Sequence, residues 1–240
     1  MLAGFPAPLR IQVMQQSANH GTEQPYRFDG RQSAFGYTCN ACSQCCYHKK
    51  IQVNPFEAAS LAAHLGIETT VFLREYTMAG EGIYLAQGES GGCIFLGEQG
   101  CAVHSSRPLV CRLYPLGRTR HADGSEEWET LASHPESAGQ FDRAGTIADF
   151  LAGQHAQELI RIADAYVDWV NRAQAKLAVW HAIGDSVTGL DASLFNLDDS
   201  VAEYCATAGI PVPQSLEQRC RLHIHILDQE LENLKEITDE

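Results

Sequence analysis

The 240-residue sequence predicts an α+β protein: a small cysteine-rich region of short helices and antiparallel strands, followed by a mostly helical C-terminal half. Three observations predict it. Seven of the nine cysteines fall between 39 and 111, among glycines and prolines that break long helices. Short, loosely alternating stretches at 82–87, 113–120 and 126–131 read as strands. Beyond 154, apolar residues recur every three or four positions, the period of a helix with one buried face. The expected organisation is an N-terminal arm over 1–36, a cysteine-cluster domain over 37–131, and a helical region over 145–240 that packs on it.

Residues 1–36 are turn-rich, with Pro6, Pro8, Gly21, Pro25, Gly30 and Gly36. Only 9–14 reads as a short strand, and His20 as a solvated loop residue. Residues 47–53 read as a strand. Asn54-Pro55-Phe56-Glu57 is a helix start: Asn54 caps, Pro55 fits the first turn, and Glu57 reaches back as in a capping box. That helix runs to 65 and Gly66 ends it. Thr69 and Thr70 open a second helix over 71–76. Residues 93–103 read as a hairpin carrying Cys93 and Cys101. Residues 113–120 and 126–131 pair around a turn at 122–125, and 110–113 has the alternative of one helical turn.

Residues 132–145 are polar and loop-like. A long helix is expected over 154–183, with positions 159, 162, 163, 166, 169, 170, 173, 177 and 180 on one face. Gly184 ends it, and Tyr166, Trp169 and Trp180 are core residues of that face. Asp198 is expected to cap a helix that runs to 208, with Gly209 as its stop. Ser215 opens a final helix to about 237, its seam made of Leu216, Cys220, His223, Leu227, Leu231 and Leu234. Cys205 and Cys220 read as core thiols. His223 and His225 face different sides of that helix and make no chelating pair.

The chemistry is concentrated in the cysteines. Cys39, Cys42, Cys45 and Cys46 lie within eight residues, and Cys93, Cys101 and Cys111 follow. Two cysteines separated by two residues fold a tight turn around one soft metal ion or cluster. Cys39/Cys42 and Cys42/Cys45 have that spacing. Adjacent Cys45 and Cys46 point apart in extended backbone, so they share one ion only through a strained turn. A disulfide framework suits a small secreted domain with an even cysteine count. This chain has nine and enough length for a core. The seven thiols are therefore read as walls of a metal site. Two zinc sites would need an eighth ligand, His104 or His48; one four-iron cluster would leave three thiols over.

Charge supports this reading. The formal net charge is −13. Residues 1–121 hold ten Lys/Arg against eight Asp/Glu, and 122–240 hold seven against twenty-two. Lys49, Lys50, Arg107, Arg112, Arg118 and Arg120 gather near the cysteines in sequence, where cations lower thiol pKa values and offset thiolate charge. The acidic balance argues against nucleic acid and membrane surfaces, and no apolar run is long enough to span a bilayer. The first residues are too short and proline-broken for a secretory leader, so a reducing cytoplasm is expected. There is no Gly-rich phosphate loop or nucleotide turn, and the spacings of radical S-adenosylmethionine enzymes and ferredoxins both fail at Lys49.

The order C-x-x-C-x-x-C-C, then Cys93 and Cys101, then Arg107-Pro108-Leu-Val-Cys111-Arg112-Leu-Tyr114-Pro115 resembles the YkgJ-type cysteine-cluster (CxxCxxCC) family, over about 39–117. The resemblance implies a zinc- or iron-chelating domain related to flagellin lysine N-methylase. It places the family's cysteines on Cys39, Cys42, Cys45, Cys46, Cys93, Cys101 and Cys111, and its arginines on Arg107 and Arg112. Two departures stand out: Ser43 where glycine is common, expected to matter little, and His104 where tyrosine is common. The reading is a metal-binding protein whose cluster is structural or redox. A 4Fe–4S cluster is favoured over zinc by the thiol excess and the arginine collar. The alternative is a lysine N-methyltransferase-like enzyme, with Arg107, Arg112 and Tyr114 as substrate or cofactor contacts and S-adenosylmethionine as the cofactor; the missing nucleotide turn counts against it. A protein partner or protein substrate fits either reading.

Overall fold

A computed structural model describes residues 26–79, 82–121, 123–141, 144–182 and 192–236. The expected strand at 9–14, His20, the ends of the long and the final helix at 183–184 and 237, and the side chains of Trp180 and Leu234 lie outside the described residues and side chains. The fold is α+β with a helical C-terminal half. In chain order the strands are β1 (Arg27–Phe28), β2 (Gln52–Val53), β3 (Thr77–Ala79), β4 (Ile83–Leu85), β5 (Leu96–Gly97), β6 (Gly100–Cys101), β7 (Leu116–Arg120) and β8 (Glu126–Thr130). The helices are α1 (Pro55–Leu65), α2 (Thr69–Tyr76), α3 (Leu109–Leu113), α4 (Ile147–Gly153), α5 (Gln157–Ala182), α6 (Leu197–Ala208) and α7 (Leu216–Glu236).

Contacts divide the chain into two units. A helical unit contains Val53–Ile83 and Ile162–Glu240. A thiol unit contains Tyr84–Arg161 and the described residues up to Gln52. All seven cysteines of the sequence motif lie in the second.

In the helical unit the start of α1 is the expected capping box. Asn54 accepts from the Glu57 amide at 3.0 Å, and Glu57 accepts from the Asn54 amide at 3.0 Å. Gly66 closes the helix at φ +68°. The alanines of α1 (Ala58, Ala59, Ala62) are buried and leave room for close helix packing, and α1 contacts α2, α6 and α7. Leu61, Phe72, Leu197, Val201 and Leu227 are fully buried; each such side chain contributes roughly 1.5–3 kcal/mol. The three-and-four spacing of α5 buries Ile162, Ala163, Tyr166, Trp169 and Ala173. The cap of α6 is Asn196 rather than Asp198: the Asn196 side chain accepts from the Asp199 amide. Asp198 instead accepts from the Thr69 hydroxyl at 2.6 Å and pairs with Arg219 at 2.9 Å, a tertiary use that local capping rules cannot anticipate.

His223, on the seam of α7, is completely buried. Its Nε2 bonds to the Leu194 carbonyl at 2.6 Å and so carries the proton; its Nδ1 accepts from the Tyr166 hydroxyl at 2.9 Å. Cys220 lies 3.7 Å from the same hydroxyl. Both ring nitrogens are satisfied by a neutral imidazole, which marks a structural histidine.

In the thiol unit β1, β8 and β7 form an antiparallel sheet, with Phe28 opposite Trp128 and Leu116 opposite Thr130. Alternation sets its faces: Leu116, Arg118 and Trp128 are buried, whereas Thr119 and Glu127 are exposed. The Arg31 and Arg118 guanidinium groups lie 5.7 and 6.0 Å from the Trp128 ring and converge on Glu126 at 2.6 Å each. The alternative helical turn at 110–113 is realised as α3. Helix α4 is an element that the sequence reading left unassigned. Thr146 and Asp149 form its capping box, with the Asp149 amide 3.2 Å from the Thr146 hydroxyl. Ile147 and Leu151 are its buried residues.

Candidate metal centre

The first cysteine segment is a knuckle closed by a short 3₁₀ turn, Gln44–Cys46. Three non-glycine residues take left-handed backbone: Ala41 at φ +51°, Ser43 at +60° and His48 at +54°. Each such residue stores on the order of 1 kcal/mol, and such strain concentrates at functional sites. At Ser43 glycine would reach this conformation without that cost.

Backbone bonds tie the knuckle to the second cysteine segment. The Cys93 amide donates to the Cys46 carbonyl at 2.9 Å, and the His48 amide to the Gly91 carbonyl at 2.8 Å. Gly91 is obligatory: its φ is +75°, and a Cβ there would lie 2.4 Å from the His48 ring. β5 and β6 form the expected hairpin, pairing Leu96 with Cys101. α3 carries Cys111, whose amide donates to the Pro108 carbonyl at 3.0 Å. All nine cysteines are free thiols.

The seven thiols fall into an inner group and a rim. Cys42, Cys45, Cys46, Cys93, Cys101 and Cys111 are all half-buried, and Cys45, Cys46, Cys93, Cys101 and Cys111 form the inner group. They feel one another: the Cys46 thiol is pushed up by its hydrogen bond with Cys45, by burial, and by the charges of Cys45, Cys111 and Cys101. Cys93 is pushed up by burial and by Cys101 and Cys45. Cys45 is pulled down to about 6 by the hydrogen bond from Cys46, against burial, with help from the Lys49 and Arg107 charges. The two adjacent sulfurs lie 4.0 Å apart. At the rim, Cys39 is exposed, and Cys42 is pulled down by backbone amides, that of Ala138 at 3.3 Å first.

The side chains gather without closing on one point. Among the described residues no group of three or more Cys, His, Asp or Glu side chains has metal-holding geometry. His104, exposed, accepts from Arg107 through its ring, and the His48 ring lies against Gly91. Arg112 spends its guanidinium on three backbone carbonyls: Arg107 at 3.0 Å, Gln154 at 3.0 Å and Ser105 at 2.6 Å. It clamps the loop that leads into α3. Arg107 also reaches the Gln154 side chain at 2.5 Å.

Sequence reading grouped Lys49 and Lys50 together in the positive collar near the cysteines. Lys50 is exposed, but Lys49 is only 8% exposed. Its Nζ lies 3.9 Å from the Tyr114 ring centre and makes no hydrogen bond among the described residues. Burial lowers its pKa to about 8, against the pull of Cys45, Cys111 and Cys46. No local sequence signal distinguishes the two lysines; the tertiary position of Tyr114 does. The donor chemistry fits a thiophilic metal: soft sulfurs of both cysteine segments influence one another electrostatically, with cations beside them.

A sulfur-rich, metal-chelating domain is the class that these features define. Residues 38–134 match the family model CxxCxxCC, described as "Putative zinc- or iron-chelating domain". No curated protein and no solved structure gives a significant match to the chain. Among the described residues no helix is long and apolar enough to cross a membrane.

Proposed function

We propose that the chain is a metal-binding protein whose thiol unit holds a cysteine-ligated centre, structural or redox in role, with an iron–sulfur cluster favoured over zinc. Cys45, Cys46, Cys93, Cys101 and Cys111 are its inner ligands, and Cys39 and Cys42 are a rim pair. The observation that carries this reading is the meeting of two cysteine segments, stapled by the Cys93–Cys46 and His48–Gly91 backbone bonds. When bound, the metal neutralises thiolate charge and cross-links the short elements around it. The residues present do the preparatory work. Lys49 and Arg107 favour the Cys45 thiolate, Arg112 sets the approach of α3, and the Ala138 amide favours the Cys42 thiolate. A reducing compartment, the cytoplasm by expectation, keeps such thiols available.

Anaerobic purification followed by metal analysis and an absorption spectrum tests the reading. Iron with sulfide and broad visible absorption is expected. Stoichiometric zinc without iron moves the assignment to zinc, and absence of any metal after reconstitution removes it. The lysine N-methylase-type alternative rests on the sequence resemblance alone; calorimetry with S-adenosylmethionine and the metal-loaded chain tests it, and absence of binding counts against it.

A further inference from the structure

We propose that Lys49 is the internal counter-cation of this centre: seated on the Tyr114 ring, its ammonium faces the thiolates of Cys45, Cys46 and Cys111 and selects a thiolate-rich metal site. The inference rests on the metal-binding reading above and adds to it the residue that sets the charge of the site. A lysine is almost never fully buried unless it is paired. Here burial is nearly complete, at 8% exposure, and no hydrogen-bond acceptor among the described residues meets Nζ. What meets it is an aromatic face at 3.9 Å and the electrostatic field of three thiols. The backbone is fixed on both sides of it. The Lys49 carbonyl accepts from Gln87 Nε2 at 2.6 Å, and the next residue, Ile51, accepts from the Leu85 amide at 2.8 Å. The side chain is therefore directed inward by the fold.

The chemistry follows from charge. Several thiolates on one divalent ion or cluster leave excess negative charge in a partly dry site. A buried ammonium offsets that charge, a role that groups around metal ligands ordinarily fill. Of the other cations nearby, Arg112 hydrogen-bonds to three carbonyls, and Arg107, which also acts on Cys45, hydrogen-bonds to His104 and Gln154. Tyr114 supplies a surface on which an ammonium rests without being neutralised.

The test uses the full chain as wild type, Lys49→Met, Lys49→Arg and the exposed-neighbour control Lys50→Met. Zinc affinity is measured by chelator competition. Cobalt(II) then serves as an optical probe. Lys49→Met is expected to weaken zinc binding by about 10- to 100-fold, with Lys49→Arg and Lys50→Met close to wild type. The sulfur-to-cobalt charge-transfer band is expected to move to lower energy in Lys49→Met, because thiolates without a facing cation give up electrons more easily. A packing role for the lysine would not move that band. Zinc affinity and band position unchanged in Lys49→Met would overturn the proposal while leaving the metal site standing. Failure of the wild type to bind either ion would overturn both. A Lys49→Met chain that fails to fold leaves Lys49→Gln to give the same readings, with the same two outcomes.

Discussion

The two units solve the problem of polar groups in opposite ways. In the helical unit the buried histidine, threonine and asparagine are answered within the unit: His223 bonds at both nitrogens, Thr69 meets Asp198, and Asn196 meets Thr70 and Asp199. In the thiol unit the knuckle holds three left-handed non-glycine residues, and the unit carries six half-buried thiols and a buried ammonium that rests on a ring. The first arrangement is what packing and capping produce by themselves. The second leaves charge and strain for something else to stabilise, which is the physical mark of a site.

The largest expected difference between the units follows from metal removal. A structural metal contributes on the order of 10 kcal/mol to a small domain. A tight chelator should therefore strip hydrogen-exchange protection from β5–β6 and α3 while α1, α6 and α7 keep theirs. Equal loss in both units would erase the contrast. Cys111→Ser is expected to act in the same direction.

The reverse probe is Leu227→Ala. It removes a fully buried side chain of α7 and is expected to cost about 2–5 kcal/mol in urea unfolding. Metal content of the folded fraction should stay as in wild type.

Glu126→Gln sharpens the picture inside the thiol unit. Burial alone would raise the Glu126 pKa, but the hydrogen bonds from Arg31 and Arg118 overrule it and hold it at about 2. Glu126 is partly exposed, so the loss is discounted to about 2 kcal/mol. The sign is fixed: a carboxylate whose folded pKa lies below its unfolded value adds stability above pH 4.5, and loses it as pH falls toward about 2. Urea midpoints of wild type and variant should therefore converge on acidification.

His223 gives the helical unit a different pH signature. Burial lowers its pKa below 6.5, although the Leu194 carbonyl and the Asp198 charge pull the other way. The unfolded chain binds that proton first, so stability falls as pH drops below 6.5, by at most about 1.4 kcal/mol per pH unit. His223→Gln should flatten that slope. The smallest effect is Ser43→Gly, which relieves one left-handed residue and is expected to stabilise the metal-loaded chain by about 1 kcal/mol in thermal unfolding.

Much of this was legible in the sequence, for local reasons. The Asn54–Glu57 box, the Gly66 and Gly209 stops and the α5 stripe are short-range signals, and each is realised. The Thr146-x-x-Asp149 box of α4 was equally local; it follows a polar loop and opens a helix too short to show a period. Other features were not local at all. Nothing in residues 53–83 says that they group with the C-terminal helices, and nothing around Lys49 says that Tyr114 will lie against it. The left-handed backbone at Ser43 was hidden because serine does not advertise it as glycine would. The cysteine spacing announced a site, but the split into inner thiols and rim thiols needed the tertiary positions of Cys93, Cys101 and Cys111.

The central claim is that sulfurs from two distant segments share one centre. Alkylation of the metal-loaded chain, followed by mass spectrometry of each cysteine, tests it directly. The account predicts that Cys45 and Cys46 are protected together with Cys93, Cys101 and Cys111, and that a chelator exposes all five in one step. Protection of only one segment, or reactivity indifferent to the chelator, would contradict it.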